Sequence, residues 1–435
     1  MGISLSGIGS GFDWQSVIDQ LRQVENNRVT TLNTQKEKYN SKLTAWQTLS
    51  SKLSAFQTAV QALKDAEDFD VFKTELTSSS SVSADSLLSV TTNSDAAKGR
   101  FDIVVSKMAK AEKLQSATTY ADTSTALNKP GTLTINSKEL VLDGTESLST
   151  LRTKINALDA GVVASILRDA DGLYHLTLTS ETEGAAGIAL TDLAGADALF
   201  STTPLQDGVD AEFTVDGLPM RSSSNKVTDA IPGLTLTIKG ESPSSTLSLQ
   251  VEHDLDSVQK KIQAFVDSYN DLASYIGQQM SYDATAKKTG GVLFGDTTVK
   301  SVKSSLQSIL SESGLGNLGV SITKDNKLTI DSTKLNNALD SDFNNTVSAF
   351  NSISTDLDTA VNRFTDYVNG GVTIQQNSIQ SAIRTLDKRI TSTQEAIDRK
   401  MELLTNQYIA LDSAMLEMQN MSSYISSQLS SLSNN

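Results

Sequence analysis

The sequence predicts an α+β multidomain protein, in which long terminal helices form a helical, coiled-coil stalk and antiparallel β-rich domains are inserted between them. Two observations support this prediction. Apolar residues return every seventh position near both ends of the chain, whereas the middle alternates apolar and polar residues with a period of two. The first period places apolar side chains along one face of a helix, and the second places them on one face of a strand. We therefore expect one helical stalk built from both chain ends.

The N-terminal repeat begins at Leu32 and runs to residues 65–70, where acidic residues crowd together. Two rows of apolar residues share one helix face. They are Tyr39, Trp46, Leu53 and Val60 in the first row, and Leu49, Phe56 and Leu63 in the second. This spacing predicts a long helix that packs against other helices, with Trp46, Leu53 and Val60 in the packing seam. We favour partners within the same chain for this segment.

The C-terminal repeat is stricter over its first row and looser over its second. The first row is Ile383, Ile390, Ile397, Leu404, Leu411, Met418 and Ile425; the second is Asp387, Gln394, Met401, Tyr408, Met415, Ser422 and Leu429. Sustained heptads predict a left-handed helix pair or bundle, so Ile383, Ile390 and Ile397 continue the seam. Two partners remain open for this helix, because residues 17–40 of the same chain or another chain could cover it.

Residues 73–252 consist of short alternating runs, such as 101–105, 132–135 and 234–238, separated by glycine, asparagine and aspartate. Such runs predict antiparallel strands with one buried face, interrupted by one helix at 148–158. Helical periodicity then resumes in three segments with a hairpin at 320–330 between them. The predicted helices are 255–276, 299–310 and 334–367, and Gly370 and Gly371 end the last of these.

The composition excludes several classes of function. A net charge of −15, with the basic residues interspersed among acidic ones, argues against nucleic-acid binding. The chain has no cysteine, which rules out disulfides and thiolate metal sites. Its apolar stretches are interrupted well before the ~20 residues that cross a bilayer, and residues 1–11 lack the basic start and apolar core of a secretory signal. We expect no membrane insertion and no cleaved secretory signal.

No group of residues suggests catalysis, a cofactor or a metal. Residues 314–319 match the dinucleotide pattern G-x-G-x-x-G, but a helix precedes them and a strand follows, which is the reverse of the order that holds pyrophosphate. Residues 169–172 resemble the start of a calcium loop without its later ligands, so a hairpin turn is favoured. His175 and His253 lack spaced partners. We expect a protein that is not an enzyme.

Several segments, in order along the chain, resemble one known family. They are residues 3–13, 17–25, 229–236, 291–296, 328–335 and 408–424, together with a helix-and-hairpin module at 148–190. This set resembles the flagellar filament-capping proteins, the hook-associated protein 2 family. Flagellin also has helical ends and a β-rich outer part, but the glycine-rich opening and Ile231-Pro232-Gly233 favour the cap. Most departures fall between residues 110 and 205.

The resemblance implies a domain organisation. Residues 1–42 and 391–435 would be terminal leg segments, partly disordered until assembled. Residues 43–72 and 254–390 would form the helical stalk domain with its small hairpin. Residues 73–109 and 205–253 would form a β-rich plate domain, and residues 110–204 an outer β-rich domain with one helix.

The resemblance also implies a structural cap at the distal end of the bacterial flagellar filament, which retains exported flagellin and promotes its folding and polymerisation. Its implied partners are further copies of itself, flagellin, the hook–filament junction subunits and an export chaperone that binds the C-terminal region. The chain would leave the cell through the flagellar type III channel. We expect Leu404, Leu411 and Met418 to contact filament subunits. The alternatives are a surface adhesin or glycan-binding module, and another flagellar axial subunit such as flagellin.

Overall fold

The structure is a computed structural model that describes residues 11, 13–194, 198–283 and 288–433. The glycine-rich opening, residues 1–10 and 12, lies outside the described residues. The chain divides into two compact units: one contains the described residues of Met1–Asp65 and Lys260–Asn435, and the other is Ala66–Gln259. Long terminal helices with antiparallel sheets between them confirm the predicted α+β class.

The helices in chain order are α1 (Trp14–Gln61), α2 (Ala84–Leu87), α3 (Leu148–Ala157), α4 (Leu255–Gln279), α5 (Thr297–Glu312), α6 (Ser332–Ser341), α7 (Phe343–Thr365) and α8 (Gly371–Ser433). The two longest, α1 with 48 residues and α8 with 63, contain neither proline nor an internal glycine. At the start of α1, the Asp13 carboxylate accepts a hydrogen bond from the Ser16 amide at 3.2 Å. None of the described helices has an apolar stretch long enough to cross a membrane.

One helix predicted from the sequence is two helices in the structure. We expected a single helix over 334–367, but α6 ends at Ser341 and α7 begins at Phe343. Asp342 lies between them with a non-helical backbone (φ −151°, ψ 70°), and its carboxylate accepts a hydrogen bond from the Asn345 amide at 3.4 Å. The aspartate therefore starts a new helix where the apolar periodicity continued without a visible stop.

The strands in chain order are β1 (Phe72–Ser78), β2 (Leu88–Thr92), β3 (Gly99–Lys107), β4 (Lys113–Gln115), β5 (Pro130–Ile135), β6 (Lys138–Asp143), β7 (Val162–Arg168), β8 (Tyr174–Ser180), β9 (Leu190–Thr191), β10 (Ala211–Val215), β11 (Leu218–Ser222), β12 (Lys226–Val227), β13 (Leu234–Ile238), β14 (Leu247–His253), β15 (Tyr282–Asp283), β16 (Lys288–Thr289), β17 (Val320–Ile322) and β18 (Leu328–Ile330). The last four form two antiparallel pairs, β15 with β16 and β17 with β18.

The first β module contains an antiparallel five-stranded sheet, ordered β1-β14-β3-β10-β11, and a three-stranded sheet, ordered β12-β13-β2. Alternate residues of each strand face one shared core. On β14 these are Leu247, Leu249 and Val251, which are fully buried. The period-two pattern in the sequence therefore reflects the burial of one face of each strand.

A single glycine allows the turn between β12 and β13 to lie against the segment that joins β2 to β3. Gly233 has φ +76°, and a Cβ at this position would come within 2.0 Å of the Ala96 amide nitrogen. The Gly233 carbonyl in turn accepts a hydrogen bond from the Asn93 amide at 2.9 Å. The Ile231-Pro232-Gly233 motif thus has a conformational and a steric requirement for glycine.

The second β module contains the sheets β4-β8-β7 and β6-β5-β9, with α3 packed on them. Leu151 and Ile155 of α3 are fully buried in its core. The next residue, Asn156, fixes the helix to strand β7, because its side-chain amide both donates to the Ala164 carbonyl at 3.0 Å and accepts from the Ala164 amide at 2.7 Å. An asparagine thereby satisfies the backbone of an edge strand.

Side-chain hydrogen bonds join the two β modules where the chain passes between them. The Asn225 amide donates to the Glu183 carboxylate at 2.7 Å and to the Ala109 carbonyl at 2.9 Å. Its oxygen accepts from the Ala109 amide at 2.9 Å. The junction between the two modules is therefore fixed by side-chain hydrogen bonds in which both the amide nitrogen and the oxygen of Asn225 have partners.

Candidate functional site

The C-terminal half of α1 lies in the helical core. Trp46, Leu53 and Val60 of the first predicted row are 1%, 0% and 0% exposed, whereas Tyr39, the first member of that row, is 37% exposed. The second row is buried as well, and the Phe56 ring centroid lies 5.7 Å from those of Phe265 and Tyr269 on α4. Burial raises the pKa of the Tyr269 hydroxyl to about 12. This part of α1 is covered by helices of the same chain.

A buried carboxylate fixes α1 against α7. Asp358 of α7 accepts hydrogen bonds from Lys64 Nζ at 2.7 Å, Gln57 Nε2 at 2.9 Å and Gln61 Nε2 at 3.1 Å. Burial alone would raise the pKa of Asp358, but the hydrogen bonds from Lys64, Gln57 and Gln61 outweigh it and hold the pKa below its ordinary value. Because three donors converge on one carboxylate, the two helices have a defined register.

The N-terminal half of α1 pairs with α8 in the opposite direction. Near the start of α1, Trp14 and Ile18 are buried against Ile397 and Met401, and the Trp14 and Tyr408 rings stack with centroids 6.1 Å apart. We call this set the Trp14 cluster; its members are Trp14, Ile18, Val29, Ile397, Met401, Leu404 and Tyr408. At the other end of the pair, Gln376 donates a hydrogen bond to the Trp46 carbonyl at 3.1 Å.

Ion pairs follow the same antiparallel register outside the apolar seam. Arg22 contacts Asp398 at 2.6 Å, and Lys36 contacts Asp387 at 2.5 Å. The Lys400 ammonium donates a hydrogen bond to Glu25 at 2.6 Å, which lowers the pKa of that carboxyl. Exposed pairs of this kind contribute little stability, so their main effect is to select the alignment of the two helices.

Beyond Tyr408, which faces the first residue of α1, helix α8 continues to Ser433. We call residues 409–433 the free end of α8. Its exposed apolar side chains are Ile409, Leu411, Met415, Met418, Met421, Tyr424, Ile425 and Leu429. Of its two carboxylates, Glu417 is exposed and Asp412 is buried, and no lysine or arginine follows Lys400 in the sequence. The free end is therefore a helix with an exposed apolar row and no positive charge.

The structure therefore divides the predicted C-terminal row into three parts. Ile383 and Ile390 are half-buried, and Ile397 is 4% exposed. Leu404 is half-buried at the edge of the Trp14 cluster. Leu411 and Met418 are 53% and 65% exposed.

Sequence reasoning missed part of this site. Trp14 and Ile18 lie before the predicted start of the N-terminal repeat, although their four-residue spacing was a usable signal. On α8, Val372, Ile379 and Leu386 form a buried row with a seven-residue spacing that begins upstream of the predicted one. The seam drifts around the helix along its length, as expected when 3.6 residues per turn meets a seven-residue repeat.

The other candidate motifs have structural roles. Gly314 and Gly319 adopt left-handed conformations around a 3-10 turn between α5 and β17. Asp169 closes the β7-β8 hairpin by accepting from the Leu173 amide and pairing with His175 Nε2, both at 2.9 Å. The His253 ring stacks on Phe72, and burial lowers its pKa. Within the described part of the chain, no group of three or more potential metal ligands occurs.

Comparison with known families accounts for this arrangement. Residues 10–112 match the family model described as the flagellar hook-associated protein 2 N-terminus, and residues 208–420 match the model described as its C-terminus. The chain belongs to the flagellar hook-associated protein 2 family. This finding confirms the resemblance predicted from the sequence. The two matches leave residues 113–207, which hold most of the second β module, outside both models.

Relatives in the flagellar hook-associated protein 2 family match over nearly the whole chain. The protein of that name from Escherichia coli strain K12 is 28% identical and the one from Salmonella typhimurium is 29% identical; each alignment covers 99% of both chains. Among solved structures, the D1, D2 and D3 domains of the flagellar cap protein FliD from Escherichia coli align with a TM-score of 0.65 at 27% identity. That alignment covers 77% of this chain and 99% of the other.

Proposed function

We propose that several copies of this chain form the cap at the distal end of a bacterial flagellar filament, retain exported flagellin, and promote its folding and polymerisation. The observation that best supports this function is the free end of α8, whose apolar side chains are exposed, in a member of a family with solved cap proteins. A row of exposed apolar side chains along one helix indicates a protein interaction surface.

The size of the exposed surface suits repeated contact. Full burial of a leucine or methionine side chain stabilises by about 1.5–3 kcal/mol, so covering the exposed half of Leu411 would contribute roughly 1 kcal/mol. Contacts of this strength hold a filament subunit collectively and are released individually. We propose Leu411 and Met418 as such contacts, with Leu404 adding only the part of its side chain that the Trp14 cluster leaves open.

We assign the remaining parts by the same proposal. Residues 1–42 and 391–435 would form the legs, and residues 43–72 and 254–390 the stalk. The first β module would form the plate, and the second would be the outer domain. Copies of the chain would contact one another, flagellin and the hook–filament junction subunits, and an export chaperone would bind the C-terminal region. The absence of cysteine suits export of an unfolded chain through the flagellar type III channel, because no disulfide has to be broken.

A strain that lacks this chain tests the proposal. We expect non-motile cells that release monomeric flagellin into the medium, because nothing retains exported subunits at the tip. Restoring the gene should restore filaments and remove flagellin from the supernatant. Normal filaments and normal swimming in the deletion strain would contradict the capping function.

A further inference from the structure

A groove of about 550 Å³ runs between α1 and α8, away from the free end. From α1 it is lined by Gln35, Lys38, Tyr39 and Lys42. These positions are spaced i, i+3, i+4 and i+7, so they form one continuous stripe along two turns of the helix.

The facing stripe on α8 has the same spacing and the same character. It consists of Ala382, Thr385, Leu386 and Arg389. Leu386 is buried and Ala382 is half-buried, so the floor of the groove is apolar and its small alanine leaves room above the seam. Two parallel stripes with helical spacing and an apolar floor form a groove into which a third helix can pack.

The rim of the groove is positive in a chain with a net charge of −15. Lys38, Lys42 and Arg389 line it together with no acidic residue. Within the part of the chain that the structure describes, none of the three forms an ion pair, whereas the neighbouring Lys36 is paired with Asp387 at 2.5 Å. Unpaired cations beside an apolar floor favour a partner that carries carboxylates beside an apolar stripe.

We propose that this groove binds an acidic amphipathic helix of the filament subunit, completing a three-helix contact. The inference rests on the proposed capping function. It adds a second contact site on the leg and specifies the chemistry of the helix that binds there. The free end would hold subunits through apolar contacts, and the groove would align them through charge.

A second copy of this chain fits the groove less well. Its own exposed apolar segment, the free end, presents one exposed carboxylate, Glu417, and begins at residue 409, which lies about 34 Å along α8 from Leu386 at 1.5 Å per residue. Copies placed at equal height around a ring would not bring the free end of one to the groove of the next. The filament subunit is the occupant that requires no such displacement.

Charge reversal in the full chain tests the proposal. The variant K38E/K42E/R389E places three carboxylates on the rim, and the matched control R384E/K388E/K300E makes the same change in net charge at exposed positions outside the groove. Binding to purified monomeric flagellin of the same bacterium is measured by fluorescence anisotropy at 0.05 and 0.5 M NaCl. We expect the dissociation constant to rise at least about tenfold for the groove variant and less than about twofold for the control.

Salt and a milder variant keep the result interpretable. Raising the salt concentration should weaken flagellin binding by the unsubstituted chain. It should have little effect on flagellin binding by K38Q/K42Q/R389Q, because the rim of that variant is neutral. Circular dichroism of each variant checks that the helices persist. Equal affinity of the groove variant and the control would overturn the proposal.

The occupant is identified by crosslinking. A photoreactive p-benzoylphenylalanine at Thr385 is activated in cells that are assembling filaments, and the product is mapped by mass spectrometry. A crosslink to an acidic helical segment of flagellin supports the proposal, whereas a crosslink to another copy of this chain, or to neither, overturns it. If the deletion strain releases flagellin but these assays fail, the capping function stands and the groove assignment falls.

Discussion

One helix, α8, contains two regions that follow the same apolar repeat and have opposite surroundings. In the paired region, Ile397 is 4% exposed and Met401 is 1% exposed. In the free end, Leu411 and Met418 of the same repeat are 53% and 65% exposed. The spacing of apolar residues therefore determines where a helix can pack, and it does not determine whether its own chain supplies the partner.

The difference arises from where α1 begins. Trp14, the first residue of α1, stacks on Tyr408, so the antiparallel pair ends there while α8 continues for 25 more residues. An apolar row that stays exposed beyond the described start of α1 favours the proposed contact with another protein. The following predictions test whether the two regions serve stability and assembly separately.

Removal of residues 409–435 has the largest expected effect. We expect filament growth to stop completely, because the apolar row is gone. The melting temperature of the helical unit should change by less than about 3 °C, since the deletion spares the Trp14 cluster. Swimming assays and tryptophan fluorescence measure the two outcomes, and both tryptophans, Trp14 and Trp46, lie in this unit. A deletion that unfolds the unit would show that the free end contributes to the core.

Truncation of a leucine should separate the two regions by free energy of unfolding. Leu53→Ala creates a cavity at a fully buried position and should cost about 2–5 kcal/mol. Leu411→Ala removes an exposed side chain and should cost less than about 0.5 kcal/mol. Urea unfolding followed by tryptophan fluorescence gives both values. Similar costs for the two variants would mean that Leu411 is covered in solution.

Asp358→Asn should weaken the α1–α7 contact by about 1–3 kcal/mol at neutral pH, because a charged acceptor of three hydrogen bonds becomes neutral. The pKa of Asp358 is lowered in the folded state, so its stabilisation is present above the unfolded pKa and is lost as the pH falls through the folded value. We expect the unsubstituted unit to lose stability below about pH 4.

Urea unfolding between pH 3 and 7 measures this dependence. The Asp358→Asn variant should show a shallower loss of stability on acidification, because the titrating group has been removed. Identical pH profiles for the two proteins would show that Asp358 does not contribute to acid sensitivity.

Arg22→Ala should have the smallest effect. Its partner Asp398 is exposed, so the free energy of unfolding should fall by no more than about 1 kcal/mol, and the difference should vanish in 1 M NaCl. Unfolding at low and high salt measures it. A larger loss that persists in high salt would indicate a packing role for the arginine side chain.

Much of the fold could be predicted because local periodicity reports burial. The alternating residues of β14 and the heptads of α1 and α8 each face one core, so their pattern is visible without the structure. The break at Asp342 was missed because an N-cap aspartate inside an apolar repeat resembles an ordinary exposed residue. The bonds of Asn156 to Ala164 could not be predicted, since they depend on the placement of a helix over an edge strand.

The residues of the candidate site could be predicted from the sequence, but the boundary between its paired and exposed parts could not. The row from Ile383 to Ile425 was visible as a repeat, but its division at Tyr408 depends on the length and alignment of α1. The groove beside Lys38 and Arg389 depends on the same alignment, because its two stripes are far apart in the chain and individually resemble ordinary solvated faces.

The most direct test of the account is flagellin release from cells in which only the apolar row of the free end is changed. The variant L411S/M418S/I425S keeps the full chain. The control N406A/S413A/N420A changes residues two or more positions away, about 200° around the helix for the nearest pairs. Each variant is first shown to be exported, and free flagellin in the medium is then measured by immunoblot. We predict abundant monomeric flagellin and short filaments for the row variant. For the control we predict the same filament length and the same amount of free flagellin as for the unsubstituted chain. Full-length filaments with no free flagellin in the row variant would contradict the role assigned to the free end of α8.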